Sequence, residues 1–302
     1  METLAATFNY RGSITVFTGE GGLPAVRLAS PSSAASTTVY LHGAHVASWT
    51  DGGGTSLLYM SPTAVYNGKK ALRGGIPLCW PQFGPGELPQ HGFARTSAWT
   101  LTATADEADA LSATFALGSS PDTRAAGFAA AWVLTYTVRL AKAGGALSLR
   151  LAAAVAAGSP PASITAALHT YFAIESAAGV TVEGLCGLTY RDSADGGREH
   201  TEAADAVTVG AAEVDRVYLD APSTLTLERG ASAGAVVMRT KDFPDAVVWN
   251  AYVDKTAALA DKPDDDWRRY VCLEAVSVKM PVVVEGGEEW VGEVTLESVP
   301  SE

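Results

Sequence analysis

A period of two constrains this chain more than any other feature. Trp132 to Leu140 reads WVLTYTVRL and puts Trp132, Leu134, Tyr136, Val138 and Leu140 on one face. Leu147 to Val155 repeats the pattern, with Leu147, Leu149 and Leu151 on one side and Ser148 and Arg150 opposite. Lys142-Ala143-Gly144-Gly145 lies between them, so the two stretches should pair as a hairpin. Leu111 to Leu117 alternates in the same way, and about 18 short runs along the chain read as strands. No stretch keeps a helical period, although Ser61-Pro62-Thr63 could cap a single helical turn ending near Asn67-Gly68. Residues 191–205 are acidic and polar and read as an exposed loop, and residues 260–266 read as an acidic loop with no apolar anchor. One apolar face per strand, repeated without a composition shift, implies an all-β chain: one large antiparallel β-sandwich domain spanning residues 1–302.

Charge narrows the function. The 302 residues carry a net charge of −12, which argues against nucleic acid and against an anionic membrane surface as partners. No apolar run reaches the ~18 residues of a transmembrane helix. The N-terminus lacks the basic-then-apolar pattern of a signal peptide, so the expected location is the cytoplasm, with a plastid or other organelle as the alternative had a transit peptide been removed. Cys79, Cys186 and Cys272 are too widely spaced for a disulfide framework or a zinc motif and read as reduced, buried thiols. His42 and His45, three apart with no third ligand in sensible spacing, read as structural, and no metal site is expected.

The segment Lys69 to Trp99, KKALRGGIPLCWPQFGPGELPQHGFARTSAW, breaks the alternation. Its glycines and prolines forbid a helix, while its aromatic residues distinguish it from a flexible linker. Rigid backbone, aromatic walls and two arginines describe either a ligand-site wall or a surface loop pinned by its own aromatics. Arg73 and Arg95 have the forked geometry that grips phosphate or carboxylate, or they form ion pairs. His169 lies in an apolar run, LHTYF, and can serve as an acid–base group or as a satisfied core residue. Glu274, in VCLEAVS, is a carboxylate in an apolar strand; it requires an ion-pair partner or a function as a base. Asp215, beside Arg216 in VDRVY, reads in isolation as half of a local ion pair. Taken alone, these residues support an acid–base enzyme or a binder acting on a polar, possibly anionic, small molecule.

In this order, LHGAHVASW at 41–49, RGGIPLCWPQFG at 73–84, LPQHGFAR at 88–95, LHTYF at 168–172, VDRVY at 214–218, VVWN at 247–250 and CLEAV at 272–276 resemble the hexose-6-phosphate mutarotase family, a branch of the aldose-1-epimerase superfamily with a galactose mutarotase-like supersandwich fold. The resemblance implies interconversion of the α and β anomers of glucose 6-phosphate and related hexose 6-phosphates by a monomeric, cofactor-free enzyme. It implies His169 and Glu274 as the catalytic acid and base, and Arg73, Gln90, His91, Arg95 and Asp215 as substrate-binding residues, with the arginines facing the phosphate. The chain departs from the pattern at Ala275-Val276, where some relatives carry glycine or proline. An aldose 1-epimerase for unphosphorylated sugars and a non-catalytic sugar-phosphate-binding sandwich are the alternatives. A glycoside hydrolase would need two carboxylates flanking the scissile bond.

Overall fold

The structure is a computed structural model that describes residues 1–301. Among these residues are 21 strands, three short α-helices and four 3₁₀ turns. Every ladder between strands is antiparallel. The strands form sheets of four, eight and nine members. The expected hairpin is present: Trp132–Ala141 pairs with Leu147–Val155, with Leu140 opposite Leu147 and Trp132 opposite Val155. All five alternate residues from Trp132 to Leu140 are buried in one hydrophobic cluster that runs from Ile14 to Leu296.

The eight-stranded sheet positions the site. Its central strand, Tyr270–Val284, lies between Ala162–Leu168 and Asp245–Asn250, and Val214–Tyr218 follows outward. Val271, Leu273 and Ala275 face the main core. Tyr270, Cys272 and Val276 belong to two smaller clusters on the opposite face. A strand buried on both faces reads as a continuous apolar run, which is why the polar residue within it, Glu274, stands out.

Three expectations change. Ser61 opens a turn and no helix, with the Ala64 N–H donating to the Ser61 carbonyl at 3.1 Å. Residues 191–205 are not a loop throughout: Thr189–Asp192 and Arg198–Thr201 form a hairpin that extends the sheet. Within that hairpin's C-terminal flank, Glu202 is buried, bonded by Arg216 at 2.8 Å and the Tyr218 hydroxyl at 2.7 Å. Finally, Cys79 and Cys272 are buried thiols as expected, but Cys186 is exposed.

The 73–95 segment is folded back on itself by backbone contacts. The N–H groups of Phe93 and Ala94 both donate to the Trp80 carbonyl, at 3.1 and 3.2 Å. Gly92 directly precedes them at φ +69°, where a Cβ would lie 2.1 Å from that same carbonyl oxygen. The Gln82 side chain closes the tip by donating to the carbonyls of Gly84 and Leu88 and accepting from the Leu88 N–H. Gly43 also approaches the segment closely, with a would-be Cβ 2.6 Å from the Arg95 carbonyl oxygen. Gly92→Ala is therefore expected to cost about 2 kcal/mol or more through left-handed strain and collision. A lowered urea midpoint at unchanged m-value is the measurement that checks it.

Candidate active site

Cross-strand pairing builds the floor of the site in two rows. Val217 lies opposite Val247, and Val247 opposite Glu274. Two residues along, Asp215 lies opposite Trp249, Trp249 opposite Cys272, and Cys272 opposite Tyr171. Residues directly opposite share a face, and alternate residues return to it. Both rows therefore face away from the main core, into a cavity of about 540 Å³.

All seven residues anticipated from the sequence line this cavity: Arg73, Gln90, His91, Arg95, His169, Asp215 and Glu274. The walls come from the 73–95 segment, whose Phe83 and His91 rings meet edge-on at 5.1 Å. His169 follows the Ala162–Leu168 strand, and its N–H donates to the Pro77 carbonyl at 3.0 Å. Its imidazole stacks on Tyr171, with 4.8 Å between centroids and 10° between planes, and meets Trp249 edge-on at 5.8 Å.

His169 Nδ1 lies 3.2 Å from Glu274 Oε1. The two groups are not aligned as a hydrogen bond, and both Nδ1 and Glu274 Oε2 are buried without a hydrogen-bond partner among the described residues. Burial pushes the Glu274 carboxyl well above its usual range, reinforced by Asp215 and opposed by Arg95. Burial also holds the His169 imidazole well below its usual range, helped by the charges of His91, Arg95, Arg73 and Lys262. In the empty cavity the stable form of the pair is thus neutral imidazole beside protonated carboxyl. Moving that one proton from Glu274 to His169 creates a base and an acid without changing the total charge.

His91 differs from His169. Its backbone is left-handed, at φ +63°, and its Nδ1 accepts from the Gly84 N–H at 3.2 Å. Burial, then Arg95 and Arg73, lower its pKa to about 3, so it stays neutral with its proton on Nε2. Arg95 donates to the Gln90 carbonyl at 2.8 Å, and its Nε has no partner. Arg73 already has partners: its Nε donates to Asp261 at 3.1 Å and an NH to the Tyr171 hydroxyl at 3.3 Å.

The suggested Asp215–Arg216 pair does not form. Neighbours on a strand point to opposite faces. Asp215 pairs instead with Lys255 at 2.9 Å, and Arg216 with Glu202. Lys255 lies on a short helix, Tyr252–Ala257, that has too few turns to show a period in the sequence.

The acidic 260–266 stretch is a loop as expected, but it is anchored. Ser61 Oγ donates to the Asp261 carbonyl at 2.7 Å, Asp261 holds Arg73, and the buried Asp266 accepts from the Tyr59 hydroxyl. Lys262 is buried among aromatic rings. Its signal in the sequence was faint: a lone lysine and a proline among acids, followed by Trp267.

Cys272 also joins the site unannounced, because ligand atoms of His169, Cys272 and Glu274 lie within 4.8 Å of one another. Burial first, then Glu274, pushes the Cys272 thiol well above its ordinary range, and the cations Lys262 and Arg73 oppose this without reversing it. A neutral thiol among cations is a poor metal ligand, and the trio fits a proton-transfer pair beside packing sulfur.

Known proteins resemble this chain over most of its length. The aldose 1-epimerase family model matches residues 24–297. The chain belongs to the aldose 1-epimerase family. A protein of Cenchrus ciliaris provisionally named glucose-6-phosphate 1-epimerase is 36% identical over 272 residues, covering 87% of this chain and 81% of its own. A protein of the same provisional name from Escherichia coli K12 is 31% identical over 238 residues, covering 78% of this chain and 77% of its own. The crystal structure of a provisionally assigned mutarotase from Salmonella typhimurium superposes with a TM-score of 0.85 at 26% identity, over 97% of this chain and 96% of that one. The expected all-β mutarotase-like fold holds, and this family member is an epimerase.

The Glu274 shift fixes the sign of a stability change. A carboxyl whose folded pKa exceeds its unfolded value binds more protons folded than unfolded, so stability falls as pH rises from the unfolded value through the folded one. Glu274→Gln removes that cost. Thermal melts at pH 5 and pH 8 should show the variant gaining more over the parent at pH 8.

Proposed function

We propose that this epimerase interconverts the α and β anomers of hexose 6-phosphates, glucose 6-phosphate foremost (the activity designated EC 5.1.3.15). One observation carries the proposal: a buried His169–Glu274 pair shares a cavity with two arginines from one rigid segment. The names of the Cenchrus and E. coli relatives support the same substrate.

The chemistry follows from the pair. Glu274, as carboxylate, takes the proton from the C1 hydroxyl, while His169, protonated, gives one to the ring oxygen. The C1–ring oxygen bond breaks and leaves an open aldehyde. Rotation about C1–C2 presents its other face, and ring closure returns both protons with the roles reversed. Each group supplies about 10²- to 10⁴-fold. Asp215 and Gln90 hold sugar hydroxyls, and His91, neutral with Nε2–H, donates a hydrogen bond to the sugar. Arg95, whose Nε is unpaired, is the principal phosphate ligand, and Arg73, buttressed by Asp261, is the second.

That Arg73–Asp261 pair also favours a second reading. A guanidinium already neutralised by a carboxylate attracts an anion less, which suits an unphosphorylated aldose.

Exchange NMR on equilibrated glucose 6-phosphate, with glucose alongside, separates the two. Acceleration for the phosphate ester only is the expected result; equal acceleration for both sugars would transfer the activity to free aldoses. Binding without acceleration would leave a sugar-phosphate binder. In the same assay His169→Ala is expected to lose about 10²-fold or more in kcat. Arg95→Ala is expected to raise KM for the phosphate ester about 10- to 100-fold, from the loss of a charge-assisted hydrogen bond.

A further inference from the structure

Lys262 is the costliest group in the molecule that the mechanism does not use. It is 5% exposed, and its Nζ has no hydrogen-bond partner among the described residues. Its surroundings are aromatic: Nζ lies 3.5 Å from the Tyr270 centroid, 4.9 Å from Tyr171, 5.1 Å from Trp249 and 5.7 Å from Tyr59. Such faces attract an ammonium but do not replace three lost hydrogen bonds. A methionine would fill the same space without that cost, so the charge needs a reason.

Tyr171 supplies the connection. The same phenol ring that lies beside the lysine carries the stacked His169 imidazole, and its hydroxyl accepts from Arg73. Trp249, also against the lysine, meets His169 edge-on. Lys262 thus stands directly behind the wall that holds the histidine, outside the substrate cavity.

We propose that Lys262 is a positioning residue that acts through this wall: its charge tunes the protonation of His169, so that the readiness of the general acid follows the ionisation of a lysine that never touches substrate. The proposal rests on His169 as the acid. Burial brings the lysine down to about 7, with Arg73 lowering it further and Cys272, Asp266 and Asp261 opposing. The phenols of Tyr59, Tyr171 and Tyr270 complete the set of titratable groups facing it, and burial raises all three, so they remain neutral. Facing His169 are Glu274, Cys272, Tyr171, His91, Arg95 and Arg73 besides the lysine. Among these cations Lys262 is the one poised to lose its charge near neutral pH. As it does so, a positive charge leaves the neighbourhood of the imidazole and protonation of His169 becomes easier.

The test is a direct titration by ¹⁵N NMR of the lysine Nζ and the imidazole nitrogens, in the parent and in two variants. The expected results are a Lys262 midpoint near neutrality in the parent, and a rise in the His169 midpoint of roughly half a pH unit or more in Lys262→Met. Lys262→Arg, which keeps its charge throughout, should hold His169 at the low value, and its pH profile of kcat/KM should lack the limb that the lysine contributes. A Lys262 midpoint above 10 in the parent overturns the proposal, and this arm needs no variant to fold. An unchanged His169 midpoint in a folded Lys262→Met also overturns it. Neither titration depends on turnover, so failure of the epimerase activity would be seen separately, as absent exchange with the titrations intact.

Discussion

The structure turns on a carboxyl and an imidazole held 3.2 Å apart and almost wholly buried. Neither group tolerates charge easily in such a place. The neutral arrangement is stable, and the ionised arrangement needed for chemistry differs from it by one internal proton transfer. A sheet suits this purpose. Glu274 sits mid-strand, paired with Val247 on one side and next to Ala275, where the ladder to Ala162–Leu168 ends, on the other; His169 is fixed where that neighbouring strand ends and its N–H meets Pro77.

The same sheet explains the division of labour in the protein. One face of the Tyr270–Val284 strand belongs to the main core, and the other to the cavity floor. On the cavity face the polar groups are separated by apolar neighbours: Val217 and Val247 in one row, Trp249 and Tyr171 in the other. These neighbours exclude water, which strengthens each electrostatic contact.

Much of this was legible in the chain. Period-two stretches such as 132–140 and 147–155 made the strands and their pairing as a hairpin legible, because one-sided burial dictates alternation. The residues with chemistry were legible where they violated their surroundings, as Glu274 does among apolar neighbours. Tertiary partners were not legible. Asp215 has Arg216 beside it in sequence but Lys255 beside it in space, because a strand sends adjacent side chains apart. The 260–266 stretch looks solvated, yet its acids and its lysine are matched to Arg73, Tyr59 and a ring of aromatics some 200 residues away or on other strands. Nothing local records such matching.

The closure of the 73–95 segment on a single carbonyl has an evolutionary corollary. Phe93 and Ala94 reach Trp80 through their N–H groups, and Gln82 ties the tip to the carbonyls of Gly84 and Leu88. The positions that carry His91 and Arg95 are therefore set by main-chain bonds and one amide. Cavity-lining side chains such as Phe83 and Pro85 take no part in those bonds. Drift at those positions can reshape the mouth of the cavity while the reactive centre stays in register, which gives a lineage of such proteins room to acquire new sugars without rebuilding its chemistry.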